Sequence, residues 1–221
     1  MVKHTDLDVY LKPTAFLETQ DPALLSFVNR VTKGAQGTVA KAVKLYYAVR
    51  DGWRYDPYDI HLEAAALKVS TLLPKAHGHC IDKAIILAAA CRAVGIPARL
   101  CLSKVRNHIA AERMTAAFGT DELVPHGYVE IWLNGKWVKA TPAFNQELCD
   151  RLGVAPLEFD GYTDSLFQEF DQAGGTFMEY LEEYGAFADV PLDKMRALMQ
   201  AHYPEAYANY LQCGQLEIPE A

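Results

Sequence analysis

The chain has no CxxC pair, no apolar run near the length of a bilayer span and no basic cluster. Each absence removes a class of function. Five cysteines, at 80, 91, 101, 149 and 213, are an odd number without a regular framework, which speaks against a disulfide scaffold and leaves reduced thiols as the expectation. A formal net charge of −7 leaves no basic stripe for phosphates, so no nucleic-acid partner is expected. The opening "MVKHTDLDVY" lacks the apolar stretch of a signal peptide, and no later run approaches the ~20 apolar residues that span a bilayer. The expectation is a soluble, cytoplasmic protein without membrane contact. What is present is 221 residues that are 51% hydrophobic and 22% charged, enough for one sizeable core. Residues 1–221 read as a single domain.

Local signals divide that domain. Asp21 before Pro22 is a cap followed by a first-turn proline, so "PALLSFVNRV" is expected to be helical within an N-terminal helical segment, 1–37. A second helix is expected from Thr38 to about Arg50, and a further helical stretch over 62–70. The strongest helix opens at Cys80: Ala84, Leu87, Ala88 and Cys91 recur at three- and four-residue spacing, and Gly95 with Pro97 marks the stop. Its small residues suit a buried central position. "ARLCLSKV" reads as a strand, and "HIAAERMTAAFG" as an exposed helix or long loop. "HGYVEIWL", "NG" and "KWVKAT" form a hairpin signal with a type I′ turn at Asn134 and Gly135. The order, helices first and antiparallel strands after, predicts an α+β fold. Eleven of the 21 Phe and Tyr residues fall between Phe159 and Tyr210, and helices are expected near 176–184 and 192–201. Residues 147–221 therefore read as a C-terminal helical, aromatic-rich extension that packs on the sheet or forms a lid over a cleft.

Cys80 at a helix start would face unpaired N–H groups and the positive end of the dipole, which lowers a thiol's pKa. Asp82 opposes this and Lys83 partly offsets it. A thiol nucleophile needs a base, and His126 at the head of the hairpin is the candidate. Counting outward from the turn sets Tyr128 opposite Thr141 and puts His126, Tyr128, Glu130 and Trp132 on one face with Trp137, Lys139 and Thr141. Thr141 is then a diagonal neighbour of His126.

The runs "VRDGWRYDPYD", "HGHCIDKAIILAAACRAVGIPARLCL" and "HGYVEIWLNGKWVKATPAFN" resemble the transglutaminase-like superfamily. The resemblance covers about residues 40–146, and 38–146 is read as the core. It implies a papain-like α+β fold, an antiparallel sheet packed on a central helix that starts with the catalytic cysteine. Carried over, Gly78 and Cys80 match the Gly-x-Cys start and His126 matches the catalytic histidine. The family's Asp before Pro is Thr141 here, before Pro142. Thr141 can accept from the imidazole but cannot supply charge, and Asn145 is the alternative orienting residue, since papain-like enzymes use Asn there. The activity implied is cleavage or transfer of the acyl group of a peptide or protein amide through a Cys80 thioester, with water or an amine as acceptor, and no cofactor.

Other readings stay open. Trp53 could donate to an oxyanion, since its indole only donates, or be a core aromatic. His79 could cap the helix or line the cleft. His77, His79, Cys80 and His126 could hold a metal, but their spacing fits no standard zinc pattern, and none is expected. The competing class is a non-catalytic binding module with a degenerate site, which Thr141 favours and the intact Gly78-x-Cys80 with His126 disfavours.

Overall fold

The computed structural model describes residues 7–108, 115, 118–167 and 173–214. Helix α1 (Pro22–Thr32) starts where its cap signal lies: the Asp21 carboxylate accepts from the N–H groups of Ala23 and Leu24, each at 2.9 Å. Helix α2 (Gly37–Gly52) follows, then the two-residue strand β1 (Arg54–Tyr55). The helix expected over 62–70 is only α3 (Val69–Leu72). The Leu62 amide and carbonyl bond instead to Tyr210 and Arg196, side chains more than 130 positions away that no local pattern reveals.

Strand β2 (His77–Gly78) runs parallel to β1 and leads into α4 (Cys80–Ala93). Every residue of α4 from Cys80 to Arg92 is buried, which explains a composition apolar on all sides. Its alanines let α1, α2 and the sheet approach closely. The reach extends further through Lys83, fully buried, whose ammonium donates to the carbonyls of Arg50 (2.8 Å), Trp53 (2.8 Å) and Ala143 (2.6 Å). One side chain thus ties the end of α2, the start of β1 and the segment after the hairpin to the central helix.

The sheet is antiparallel in the order β5-β4-β3-β6, built from β3 (Ala98–Asn107), β4 (Glu122–Leu133), β5 (Lys136–Ala140) and β6 (Met178–Phe187). The Asn-Gly hairpin has the expected register, Leu133 opposite Lys136, with both turn residues at positive φ (51° and 83°). Leu100, Leu102, Gly127, Val129 and Ile131 share the inner face against α4. At Gly127 the fit is tight, since a Cβ would meet Ile81 Cγ1 at 2.7 Å and its Cα at 2.9 Å.

β6 corrects the expected helix at 176–184, so this part of the C-terminal extension is a strand and not helical. Its exposed acids pair across the sheet, Glu179 with Arg106 at 3.1 Å and Glu182 with Lys104 at 3.6 Å, as suits a charged edge strand. Helix α5 (Gln146–Leu152) precedes it, and α6 (Leu192–His202) and α7 (Pro204–Cys213) follow. "HIAAERMTAAFG" lies mostly outside the described residues. No described helix is long and apolar enough to cross a membrane.

Candidate active site

Cys80 is the first residue of α4, with His79 as its cap. The cap is reciprocal: His79 Nδ1 accepts from the Asp82 N–H, and Asp82 Oδ2 accepts from the His79 N–H, both at 3.2 Å. A backbone N–H can only donate, so Nδ1 is the acceptor in this pair, which leaves Nε2 as the ring nitrogen able to donate. Cys80 and His79 both line a cleft of about 510 Å³. Beyond the last β4–β5 pair, Val129 with Ala140, the Gly127 N–H donates to Cys80 Sγ at 3.5 Å. The thiol therefore sits where β5 leaves β4, one residue from His126.

Burial decides the thiol's state. It pushes Cys80 up to about 11, against the N–H groups of Gly127, Ile81 and Cys80 itself, with Asp82 adding to the rise. The lowered pKa expected from the helix start is thus overturned by loss of water. His126 is 3% exposed, and burial, then the neighbouring His79, takes it down to about 4. The resting pair is a neutral thiol and a neutral imidazole. No hydrogen bond joins the two side chains. Alternation along β4 turns the His126 ring away from the Gly127 face, into a small cavity of about 10 Å³ that Thr141 also lines.

Thr141 and His126 share that cavity without bonding: His126 Nε2 and Thr141 Oγ1 are both buried and unpartnered. The ladder stops short of position 141, whose N–H donates to the Ser165 carbonyl at 2.9 Å. Asn145 is buried, and its Oδ1 accepts from the Tyr55 N–H at 2.9 Å, which occupies it with holding β1. Trp53 does not line the cleft; it lies edge-on to Phe27 with ring centroids 5.6 Å apart. His77 is 3.7 Å from Asp59 and 3.9 Å from Asp56 and does not line the cleft.

Comparison with known proteins bears on this arrangement. The profile described as the transglutaminase-like superfamily matches residues 25–142, just over half of the chain. The chain belongs to the transglutaminase-like superfamily. A search of the curated proteins gives no match. Among solved structures, a protein from Cytophaga hutchinsonii, provisionally named a cysteine protease, is similar with a TM-score of 0.50 at 14% identity, over 84% of this chain and 55% of its own. A second, provisionally named a protease, from Parabacteroides distasonis, has a TM-score of 0.40 at 18% identity, over 61% of this chain and 25% of its own. The chain thus spans about half the length of the first and a quarter of the second.

Within this transglutaminase-like site, sequence reasoning missed Tyr55. Parallel pairing sets it beside Gly78, two residues before Cys80, and its ring stands edge-on to Phe144 with centroids 4.7 Å apart. Tyr55 lines the cleft, and its hydroxyl has no hydrogen-bond partner among the described residues; burial, then the neighbouring Cys80 where it is ionised, holds its pKa well above the usual range. The aromatic at "WRY" that reaches the cleft is the tyrosine, because the tryptophan two positions earlier faces α1. The outer wall comes from the extension that the sequence offered as a lid, through residues it did not single out: Leu148, Leu152, Met195, Met199 and Tyr203, from α5, α6 and the residue after it, line the same cleft.

Proposed function

We propose that the protein is a cysteine acyl-transfer enzyme that cleaves an amide bound in the cleft, with Cys80 as nucleophile and His126 as base. The observation that carries this reading is Cys80 Sγ, on the first turn of a buried helix, opening into the large cleft and contacting the backbone next to His126. In the reaction Sγ, at the open edge of β4, bonds to the amide carbonyl carbon as the thiol proton passes to the His126 ring, which must first turn out of its small cavity toward the thiol. The oxygen that becomes anionic has three donors within the site's make-up: the Cys80 N–H, the proton on His79 Nε2 and the Tyr55 hydroxyl. Collapse breaks the C–N bond, His126 returns its proton to the departing amine, and a thioester remains on Cys80. Water or a second amine then releases the acyl group. Hydrolysis is the favoured outcome by analogy with the resemblance. A neutral resting pair fits concerted transfer, in which the thiol gives up its proton only as it attacks.

The absence of a hydrogen bond between Cys80 and His126, together with Thr141 at the family's Asp position, favours a second reading, a binding module that keeps the cleft without the chemistry. One experiment separates the two. With p-nitrophenyl hexanoate as acyl donor, the enzyme reading expects a burst of one equivalent of p-nitrophenol per chain followed by steady turnover, and one hexanoyl group on the Cys80 peptide in samples quenched with acid during the burst. Cys80→Ala should give neither, and His126→Ala should acylate at least about a hundredfold more slowly. A folded wild-type chain that gives neither burst nor turnover above the Cys80→Ala protein would overturn the enzyme reading and favour the binding module.

A further inference from the structure

The walls of the cleft state what kind of amide fits it. Ile60, Leu62, Phe118, Leu152, Met195 and Met199 surround the space in front of Cys80, and the two methionines supply flexible, polarisable contact. A volume of about 510 Å³ lies in the range of small-molecule sites, far below what a folded protein segment needs. Among all the lining residues Arg151 is the one with a permanent charge. It stands in the last turn of α5, beside Leu148 and Leu152, and forms no ion pair among the described residues. Most of the other described arginines do: Arg50, Arg99, Arg106 and Arg196 each have a carboxylate within 4.0 Å. In a chain of net charge −7, a cation left without a counter-ion at the edge of an apolar cleft is complementary to an anionic ligand.

We infer that the cleft takes an N-acylated amino acid: an apolar acyl chain against the methionine and leucine walls, the amide at Cys80, and the free carboxylate on the Arg151 guanidinium. A guanidinium matches a carboxylate in a two-bond fork, which fixes the substrate's direction as well as its charge. Cleavage would then place the acyl group on Cys80 and release the amino acid from the Arg151 side. The assignment of chemistry to Cys80 rests on the function proposed above; the assignment of ligand class rests on the walls and is tested by binding alone.

The test uses N-decanoylglycine, with N-decanoylglycinamide as its neutral twin, in titration calorimetry on the Cys80→Ala protein, where no turnover interferes. The acid is expected to bind at least about tenfold more tightly than the amide, and the preference should fall with added salt. Arg151→Gln should bring the two ligands to equal affinity, while Arg151→Lys should keep part of the difference. On the wild type, the acid should protect Cys80 from iodoacetamide at pH 9, which places the ligand in this cleft. Equal affinity for both ligands, a preference that survives Arg151→Gln, or binding that leaves Cys80 unprotected would each overturn the inference. A wild type that gives neither burst nor turnover above the Cys80→Ala protein would defeat the enzyme reading while leaving the binding result to stand by itself.

Discussion

The two walls of the cleft are built differently. On the α4 side the parts are small and held through backbone: Ala-rich turns, Gly127 pressed against Ile81, and the Lys83 ammonium gripping three carbonyls. On the other side the parts are long side chains hooked on by hydroxyls. Tyr203 accepts from the Val124 N–H at 2.7 Å and donates to the Glu122 carbonyl, fixing the head of β4, while Tyr210 accepts from the Leu62 N–H at 2.8 Å. The first wall is held by close backbone contacts and buried hydrogen bonds, the kind of support that a positioned nucleophile requires. The second can change its lining without disturbing the first. The proposed nucleophile and the proposed acyl-binding wall thus belong to separate layers, and the variants below test whether that separation holds.

The largest effect is expected in the titration of the thiol. With burial holding Cys80 up to about 11, iodoacetamide labelling should climb about tenfold per pH unit from 7 towards that value. At pH 7 Cys80 should trail the exposed Cys213. Peptide mass spectrometry resolves the two sites. A plateau below pH 8 would mean that a thiolate–imidazolium pair forms despite burial.

Next in size is Lys83→Met, which keeps the stem but strands three buried carbonyls. It should cost about 3 kcal/mol or more of unfolding free energy in urea. A loss under about 1 kcal/mol would show that the carbonyls find other donors and that the α4 wall is less rigid than described. Gly127→Ala should cost about 1–3 kcal/mol, because the contact at 2.9 Å is with the Ile81 backbone, which cannot rotate aside. The same change should alter Cys80 labelling, since it moves the N–H that meets Sγ. Arg151→Gln, on the exposed turn of the other wall, should leave stability within about 0.5 kcal/mol. If it destabilises as Gly127→Ala does, the two walls are one cooperative unit.

What could be read from the chain follows the same division. The helix start at Cys80, the Asn134-Gly135 turn and the family pattern are local signals, and each fixes backbone within a few residues. The strand Met178–Phe187 is not legible as one because the partners that make it a strand, Leu100 to Asn107, lie some 80 positions earlier. The second wall depends on contacts such as Tyr203 with Glu122 and Tyr210 with Leu62, which no local pattern announces. The thiol's state was misjudged for a related reason: a helix start is visible in sequence, but the depth of its burial is a property of everything packed around it.

The smallest and most specific effect concerns Thr141. His126 titrates near 4 because it is buried beside His79 and no carboxylate offsets the loss of water. A depressed histidine binds protons more readily unfolded than folded, so its contribution to stability is complete above the ordinary histidine range and is lost as pH falls towards 4. Thr141→Asp places a carboxylate in the cavity that the ring lines, which should raise the ring's pKa and shrink that acid-side loss. It should also speed acylation of Cys80, because an imidazolium formed in the transition state would gain a partner. Thr141→Val should leave the pKa low. Asn145→Ala should instead loosen the Tyr55 segment that its Oδ1 holds, lowering stability without moving the His126 titration. Proton NMR of the His126 ring against pH reads all three variants without a substrate. A ring that titrates at the same pH with Asp at 141 as with Thr would mean that the side chain of residue 141 does not reach His126, and the orienting group would have to be sought on the His79 side of the ring.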